Sequence, residues 1–371
     1  MRSLCGKPAA QSRRIADAAS ALPISRRSLL AGAGAAAWAL AAAGSLAASG
    51  CSPSSGGEGA FEGATSSTFA FDTYCTFTVY GDDAAPAALA RECARYDALF
   101  DLYDPESDIA RVNAAGGAAT VVDPDTADIV SRSLEYCERF EGLFDVTIGA
   151  VSTLWDFEEG VRPSDEAIAA ALPHVDWRVV HVDGADSEGP TIALSDTEAK
   201  LDLGAIAKGY IADRLCSYLA DNTDATGAAI SLGGNIAYFG EKPDGTAWET
   251  GIRDPNDPGG STLVGTLETA GGSYVTSGLY ERTFELDGVD YWHVLDPSTG
   301  MPVETDVVSV TVACPESTRA DTLSTALFVA GSARGLEIVD GLDDTAALFL
   351  LSDGTSVASS RWQDLTGFEP A

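Results

Sequence analysis

Basic residues are scarce in this sequence of 371 residues, which has 22 lysines and arginines against 56 aspartates and glutamates and a formal charge of −34 at pH 7. Six of the basic residues and one of the acidic ones lie in residues 1–50, so the remainder has 16 basic and 55 acidic residues. Such an acidic surface repels nucleic-acid phosphates and anionic lipid headgroups. We therefore expect no nucleic-acid partner and no electrostatic adhesion to a membrane.

Histidine and methionine are rarer still, with three and two residues. Because the histidines are His174, His181 and His293, few side chains can act as a general base near neutral pH. The Gly-rich phosphate loop G-x-x-x-x-G-K-[ST] is missing, which excludes a nucleotide-binding site of that type.

The cysteines show no spacing typical of a metal site. Five remain when Cys5 and Cys51 are set aside, and an odd number in an exported protein cannot all pair internally. We expect most of them to be core residues; the five are Cys75, Cys93, Cys137, Cys216 and Cys314.

The first fifty residues have the features of an export signal and are excluded from fold reasoning. Basic residues precede the apolar stretch LLAGAGAAAWALAAAGSLAAS, whose many glycines and serines make it a poor membrane-spanning helix. Residues 25–30, SRRSLL, resemble a twin-arginine export motif, and residues 48–51, ASGC, resemble a lipoprotein cleavage site with Ala48 where leucine is usual. We expect Cys51 to carry a lipid that anchors the chain at the outer face of the cytoplasmic membrane.

Residues 51–67 are rich in glycine and serine, which predicts a flexible tether, and residues 68–371 form the folded domain. Residues 62–68, EGATSST, contain a Gly-Ala-Thr sequence. In a segment built of such residues this sequence arises by chance, so covalent modification of Thr65 is only a minor alternative.

Strands and helices alternate irregularly along residues 68–371. Apolar alternation predicts strands at FAFDTYCTFTVY (69–80), WRVVHV, TIALS, AAISLGGNIAYFG and DVVSVTVAC, with hairpin turns at Asp287-Gly288 and Asp353-Gly354. Helical spacing predicts helices over about 86–100, 126–140, 165–171, 205–220, 319–331 and 332–340. Because strands outnumber βαβ units, we predict an α+β fold with mixed or antiparallel sheets and packed helices.

The stretch RADTLSTALFVAG places Asp321 and Thr325 on one face of an apolar helix. The acid can cap the helix and the threonine can bond the carbonyl of the preceding turn. Alternatively, the two side chains present hard oxygen ligands to one Mg²⁺ ion. The spacing alone leaves both interpretations open.

A second candidate site is LDLGAIAKGY, in which a predicted strand ends at Gly204 and a helix carries Lys208 in its first turns. Free helix amides and one ammonium group would attract an anion. The alternative is a surface lysine at an ordinary turn.

Two further motifs are weak when taken singly. His293 ends the second strand of the Asp287-Gly288 hairpin, where a buried structural histidine is the commoner outcome. The glycines of SLGGN interrupt a predicted strand, which permits either close approach to a ligand or a bulge.

Seven motifs follow one another along the chain: FDTYCTFTVYG, YDPESDIARVN, GLFDVTIGAVSTLWDF, LDLGAIAKGYIADRL, SLGGNIAYFG, YWHVLDPSTGMPV and ADTLSTALFVAG. Together they resemble the ApbE family, which are flavin transferases that move FMN from FAD onto a threonine or serine of a partner protein. The resemblance runs from Phe71 to about Gly331 and implies an ApbE-like, T-fold-like architecture. It also implies FAD as the substrate, Mg²⁺ as the cofactor, an exported acceptor protein as the partner and AMP as the product.

The resemblance implies a role for individual residues. Asp321 and Thr325 would bind Mg²⁺ by their side chains and Ala205 by its carbonyl, and His293 and Asp321 would be catalytic. The residues implied to line the FAD site are Phe71, Tyr103, Leu143, Phe144, Asp145, Asp202, Lys208 and Leu295. The SLGGN motif often ends in an acid in this family, so Asn235 argues against a charged role at that position.

Two other functions fit the same residues. An Mg²⁺-dependent FAD pyrophosphatase would release FMN and AMP to water, and a flavin-binding lipoprotein without catalytic activity would bind FAD and release no AMP.

Overall fold

The computed structural model describes residues 62–186, 189–257 and 261–371. The predicted export signal, the lipidation site at Cys51 and most of the predicted tether lie outside these residues. Within them, the structure is α+β, as the sequence predicts.

The helices in the described residues are α1 (Ala85–Phe100), α2 (Asp108–Ala114), α3 (Pro124–Arg139), α4 (Gly149–Ser152), α5 (Asp165–Ala171), α6 (Ala207–Asn222), α7 (Ser317–Asp340) and α8 (Trp362–Thr366). Short 3₁₀ turns span Leu172–His174 and Trp177–Val179. Gly331, at φ 75°, interrupts α7 with a kink, which matches the prediction of two successive helices there. None of the helices in the described ranges is both long and apolar enough to cross a membrane.

The strands are β1 (Ala64–Ala70), β2 (Thr73–Tyr80), β3 (Thr120–Val121), β4 (Val180–Asp186), β5 (Gly189–Leu194), β6 (Gly227–Leu232), β7 (Asn235–Gly240), β8 (Trp248–Arg253), β9 (Leu263–Thr269), β10 (Gly272–Gly278), β11 (Thr283–Leu286), β12 (Val289–Trp292), β13 (Val307–Cys314), β14 (Ala346–Leu351), β15 (Ser356–Ala358) and β16 (Glu369–Pro370).

An eight-stranded sheet in the order β1-β2-β6-β7-β10-β13-β14-β15 forms the centre of the fold, and every neighbouring pair is antiparallel. Alternate residues of its strands belong to different cores: Val310 and Val312 pack with α1, α6 and α7, whereas Ala313 packs on the opposite face. This two-residue period follows from the pleat of a strand and requires both faces to be covered.

The opposite face is covered by the small sheet β16-β9-β8 and by α8, with Ile252, Leu267 and Trp362 at the contact. A third sheet, β3-β5-β4, packs against α2 and α3. The hairpin β11-β12 contacts the α4–α5 region through Phe284 and Tyr291, whose rings stack at 5.3 Å. The helix side of the central sheet therefore holds the main core.

The structure corrects three expectations at the turns of the sheet. The predicted strand 69–80 is a hairpin whose two-residue turn, Phe71-Asp72, has both residues at positive φ. The glycines 233 and 234 form the turn between β6 and β7, so SLGGN is a hairpin and not one interrupted strand. Leu201–Gly204 is extended but outside any ladder, since the Asn113 side chain bonds both the N–H and the carbonyl of Leu201.

The folded domain also begins earlier than predicted, because β1 starts at Ala64, inside the expected tether 51–67. The small polar residues of this segment pair with β2, and Thr65 lies opposite Thr78. The cysteine prediction is confirmed: Cys75, Cys93, Cys137 and Cys314 are buried, and Cys216 is half-buried.

Candidate active site

Three turns meet at one end of the central sheet. A side chain on Gly233 would place its Cβ 2.6 Å from Oγ1 of Thr73, so the β6-β7 turn touches the end of the β1-β2 hairpin. A Cβ on Gly234 would lie 3.1 Å from Oε1 of Glu281, in the segment that follows β10. The backbone of the glycine turn therefore approaches its neighbours more closely than any other residue type allows.

Helices α6 and α7 cross closely beside this end of the sheet. A Cβ on Gly209 would lie 2.3 Å from the carbonyl oxygen of Ser317, so only glycine fits at the crossing. The N–H of Gly209 donates a hydrogen bond of 2.8 Å to Oδ2 of Asp321, which is 4% exposed. Because α7 begins at Ser317, Asp321 lies in its second turn, and the capping interpretation is wrong.

The carboxylate that binds the start of α7 belongs to Asp213 of α6. Its oxygens accept hydrogen bonds from the N–H groups of Ser317 and Thr318 at 2.9 and 2.8 Å and from the Thr318 hydroxyl at 2.6 Å. Burial raises the pKa of the Asp213 carboxyl, and these hydrogen bonds oppose that shift. Asp321 is thereby left available for another role.

Three oxygen atoms near this crossing have no hydrogen-bond donor among the described residues: the Ala205 carbonyl, Oδ1 of Asp321 and Oγ1 of Thr325. In a regular helix the N–H of Gly209 would bond the Ala205 carbonyl, but here it bonds Asp321 instead. The hydroxyl that bonds the Asp321 carbonyl, at 2.8 Å, is that of Ser324, so the back-bonding alternative for Thr325 is wrong.

This donor set fits a hard cation. Within the described ranges no group of three or more His, Cys, Asp or Glu side chains could hold a metal ion. One carboxylate combined with a carbonyl and a hydroxyl oxygen is the type of ligand set that Mg²⁺ prefers to softer metals.

Lys208 adds a positive charge at the first turn of α6. Its half-buried ammonium group donates to the Gly204 carbonyl at 3.3 Å. Burial is the largest cause of the lowered pKa of His293, and the charges of Arg282 and Lys208 add to it, so Lys208 is close enough to His293 to influence it. The amides of Ile206, Ala207 and Gly209 already have acceptors, so the ammonium group is the main attraction for an anion.

His293 follows β12, and its backbone N–H bonds the Arg282 carbonyl at 3.2 Å. Burial, reinforced by the charges of Arg282 and Lys208, lowers the pKa of His293 to about 3. No described group bonds its buried Nδ1. The imidazole is therefore neutral at pH 7, and its Nδ1 is a buried polar atom that lacks a described partner.

Tyr103 and Asp202 lie at the rim of the same region. Asp202 accepts hydrogen bonds from the Ser152 hydroxyl at 2.6 Å and from the Gly204 N–H at 2.8 Å, which fix its carboxylate. Tyr103 is 67% exposed, and burial of its hydroxyl end together with the Asp202 charge raises the pKa of its phenol. Its other charged neighbours include Arg282 and Asp72, which lie 3.9 Å apart, so the Phe71-Asp72 turn also reaches this rim.

Comparison with known proteins identifies the family of this chain. The model of the ApbE family matches residues 71–349. The chain belongs to the ApbE family. It is 38% identical over 268 residues to a FAD:protein FMN transferase of Treponema pallidum, a match that covers 69% of this chain and 74% of the relative. A FAD:protein FMN transferase of Klebsiella pneumoniae is 32% identical over 282 residues, covering 75% of this chain and 86% of the relative.

Solved structures of ApbE proteins have the same fold. The ApbE protein of Thermotoga maritima superposes with a TM-score of 0.73 at 30% identity, covering 82% of this chain and 99% of that one. The apo form of the Pseudomonas stutzeri flavinyl transferase ApbE superposes with a TM-score of 0.71 at 26% identity, covering 82% and 97%.

The remaining ApbE motif residues contribute through the fold. Phe144 is a core residue at 3% exposure, and Leu143 is half-buried beside Arg334 and Ile338 of the kinked end of α7. The Asp145 carboxylate accepts bonds from the N–H and hydroxyl of Thr147 at 2.8 and 2.6 Å. The structure therefore does not bring these side chains to the Asp321 region.

The backbone after this turn does reach the rim, because the Val146 carbonyl accepts the N–H of Asp202 at 2.9 Å. Leu295 is likewise buried, at 7% exposure, and its backbone bridges to Pro302. The side chains of Phe144 and Leu295 are buried, so these two residues can contact a ligand only through main-chain atoms.

Sequence reasoning missed two charged residues of the site, Glu281 and Arg282. They lie in the stretch LYERTF, which follows β10, and β10 itself was not predicted. A pair of charges before a hairpin is common on protein surfaces, and no periodicity or spacing distinguishes it.

Proposed function

We propose that this ApbE protein transfers FMN from FAD to a threonine or serine hydroxyl of an exported acceptor protein, in an Mg²⁺-dependent reaction that releases AMP. Relatives in Treponema pallidum and Klebsiella pneumoniae are named FAD:protein FMN transferase, which supports FMN as the group that is transferred. The observation that carries the proposal is the set of unpaired oxygens of Ala205, Asp321 and Thr325 beside Lys208.

The three oxygens would hold Mg²⁺. When bound, the ion supplies positive charge to the pyrophosphate oxygens of FAD. Lys208 supplies a second positive charge from the first turn of α6. Phosphoryl transfer depends mainly on charge neutralisation and on alignment of the attacking oxygen, so the site needs no nucleophilic side chain.

His293 would contribute a neutral imidazole beside the pyrophosphate. Because burial, together with the charges of Arg282 and Lys208, disfavours its protonation, it donates or accepts a hydrogen bond and adds no third cation. Tyr103, Asp202 and the Phe71 turn would hold FAD at the rim, with the main chain of Leu143–Asp145 and Leu295 as further contacts.

The test is incubation of the purified chain with FAD, Mg²⁺ and candidate exported acceptors. AMP is quantified by chromatography and covalent flavin by in-gel fluorescence. AMP released in equal amount to labelled acceptor supports the transferase. AMP and free FMN without labelling would instead support the pyrophosphatase, and bound FAD without AMP would support a binding protein.

A lipid anchor at Cys51 is proposed from the sequence alone, since residues 1–61 lie outside the described structure. In cells, the full chain should fractionate with membranes and Cys51→Ser with the soluble exported fraction. Equal membrane association of both forms would contradict the anchor.

A further inference from the structure

Glu281 is a carboxylate of the site to which the family resemblance assigns no role. It follows β10 and reaches back toward the glycine turn, where its Oε1 lies 3.1 Å from the position that a Cβ on Gly234 would take. The missing side chain of Gly234 makes room for the carboxylate beside the end of the sheet. Its position thus depends on the close approach that the SLGGN turn permits.

The surroundings of Glu281 are charged but do not neutralise it by contact. The pKa of its carboxyl is raised, chiefly by burial and to a smaller extent by Asp321 of α7, whereas Lys208 of α6, Arg282 and Arg253 of β8 oppose the rise. No described side chain forms an ion pair or hydrogen bond with it within bonding distance. The residue as a whole is exposed, although burial of its carboxyl is the largest influence on the pKa.

Glu281 is better suited than His293 to accept a proton. A general base works best when its pKa lies close to the operating pH. The pKa of His293 falls to about 3 under burial and two cationic neighbours, which makes its imidazole a weak base. The shift at Glu281 is in the opposite direction and strengthens the carboxylate as a base.

We propose that Glu281 is the general base that takes the proton from the attacking acceptor hydroxyl. This inference depends on the proposed function. The hydroxyl oxygen forms a bond to the FMN phosphorus of FAD while the bond from that phosphorus to the bridging oxygen breaks. AMP leaves with the bridging oxygen, the proton passes to Glu281 and then to water, and the flavin keeps its redox state.

The test compares Glu281→Gln with Glu285→Gln, an exposed glutamate four residues further on in β11. Both are assayed with FAD and Mg²⁺ alone and with an exported acceptor protein that the wild type labels, and AMP and protein-bound FMN are measured. We expect Glu281→Gln to lower the rate of AMP release at least about 100-fold, the lower range for a lost general base. FAD affinity and the thermal midpoint should stay unchanged, and Glu285→Gln should behave as wild type.

The pH profile separates a base from a structural residue. The wild-type kcat/KM should fall as the pH drops through the raised pKa of Glu281, because the protonated carboxyl cannot accept a proton. This acidic limb should be missing in Glu281→Gln and retained in His293→Gln. Glu281→Asp keeps a carboxylate, so it should retain the limb at a reduced rate and serves as the second variant if the glutamine variant unfolds.

Failure of this inference is distinct from failure of the proposed function. If Glu281→Gln releases AMP at the wild-type rate, or if the limb disappears in His293→Gln instead, Glu281 is not the base. If the wild type releases AMP without labelling any acceptor, the transferase proposal fails, and AMP release with water as acceptor still decides the role of Glu281.

Discussion

The N–H of Gly209 donates its hydrogen bond to Oδ2 of Asp321, at 2.8 Å, and not to the Ala205 carbonyl one turn back. One bond thus joins α6 to α7, frees the Ala205 carbonyl and orients the Asp321 carboxylate. The close packing of the two helices and the position of the Asp321 carboxylate beside α6 therefore depend on the same contact.

Replacement of Gly209 by alanine should disrupt both. Its Cβ would lie 2.3 Å from the Ser317 carbonyl and 2.6 Å from Cβ of Asp321, and neither atom belongs to a flexible side-chain end. We expect a loss of about 2 kcal/mol or more in the free energy of unfolding, measured by urea denaturation, together with loss of AMP release. Gly184→Ala is the control, since its Cβ would meet nothing within 4 Å.

Asp321→Asn should weaken metal binding without destabilising the fold. The amide oxygen can still accept the Gly209 N–H, so the thermal midpoint should change little, whereas the lost charge weakens cation binding. We expect the Mg²⁺ concentration for half-maximal AMP release to rise at least about tenfold. An unchanged Mg²⁺ requirement would show that Asp321 does not bind the metal.

Two controls lie on the same helix. Glu337→Gln removes an equal charge from an exposed position of α7 and should leave the Mg²⁺ titration unchanged. Thr325→Val should weaken metal binding, whereas Thr322→Val should not, because the Thr322 hydroxyl already bonds the Thr318 carbonyl at 2.9 Å.

The sequence predicted elements with strong local signals. The hairpin at Asp287-Gly288 is present, with φ of 54° and 80°, because this dipeptide favours positive φ at both positions. The turn at Phe71-Asp72 also has positive φ at both positions, but it has phenylalanine where the other turn has aspartate. The apolar alternation therefore continued through it and predicted a single strand. Tertiary contacts, including the bond from the Phe71 N–H to Asp97 at 3.0 Å, hold this turn.

The candidate site was predictable only as a set of residues, because its geometry depends on long-range contacts. Asp321 at the start of an apolar helix looked like a cap until Asp213, over a hundred residues earlier, was found to occupy that role. Glu281 carries no local signal at all, and only the close approach of the Gly234 turn marks it.

A substitution at Phe71 changes the turn between β1 and β2 without changing the paired residues of the two strands. Phe71→Asn places a residue suited to positive φ in the turn, and the strain relieved roughly offsets the packing lost, so stability should change by less than about 1 kcal/mol. If the ring contacts FAD, the dissociation constant measured by flavin fluorescence should rise about tenfold, the equivalent of 1.4 kcal/mol. Phe69→Asn, the same change at a residue that is 65% exposed on β1, should leave FAD affinity unaltered.

His293 should make the fold sensitive to acid. The pKa of its folded imidazole is about 3 against an ordinary 6.5, so between these values the unfolded chain binds a proton that the native state does not. Stability therefore falls as the pH drops through this window, by up to about 1.4 kcal/mol per unit. His293→Gln removes the linkage, so the loss of unfolding free energy between pH 7 and 4.5 should shrink by about 2 kcal/mol in urea titrations. His181→Gln, at an exposed position of β4, should show the wild-type loss, and an equal loss in His293→Gln would mean that the imidazole is protonated in the native state.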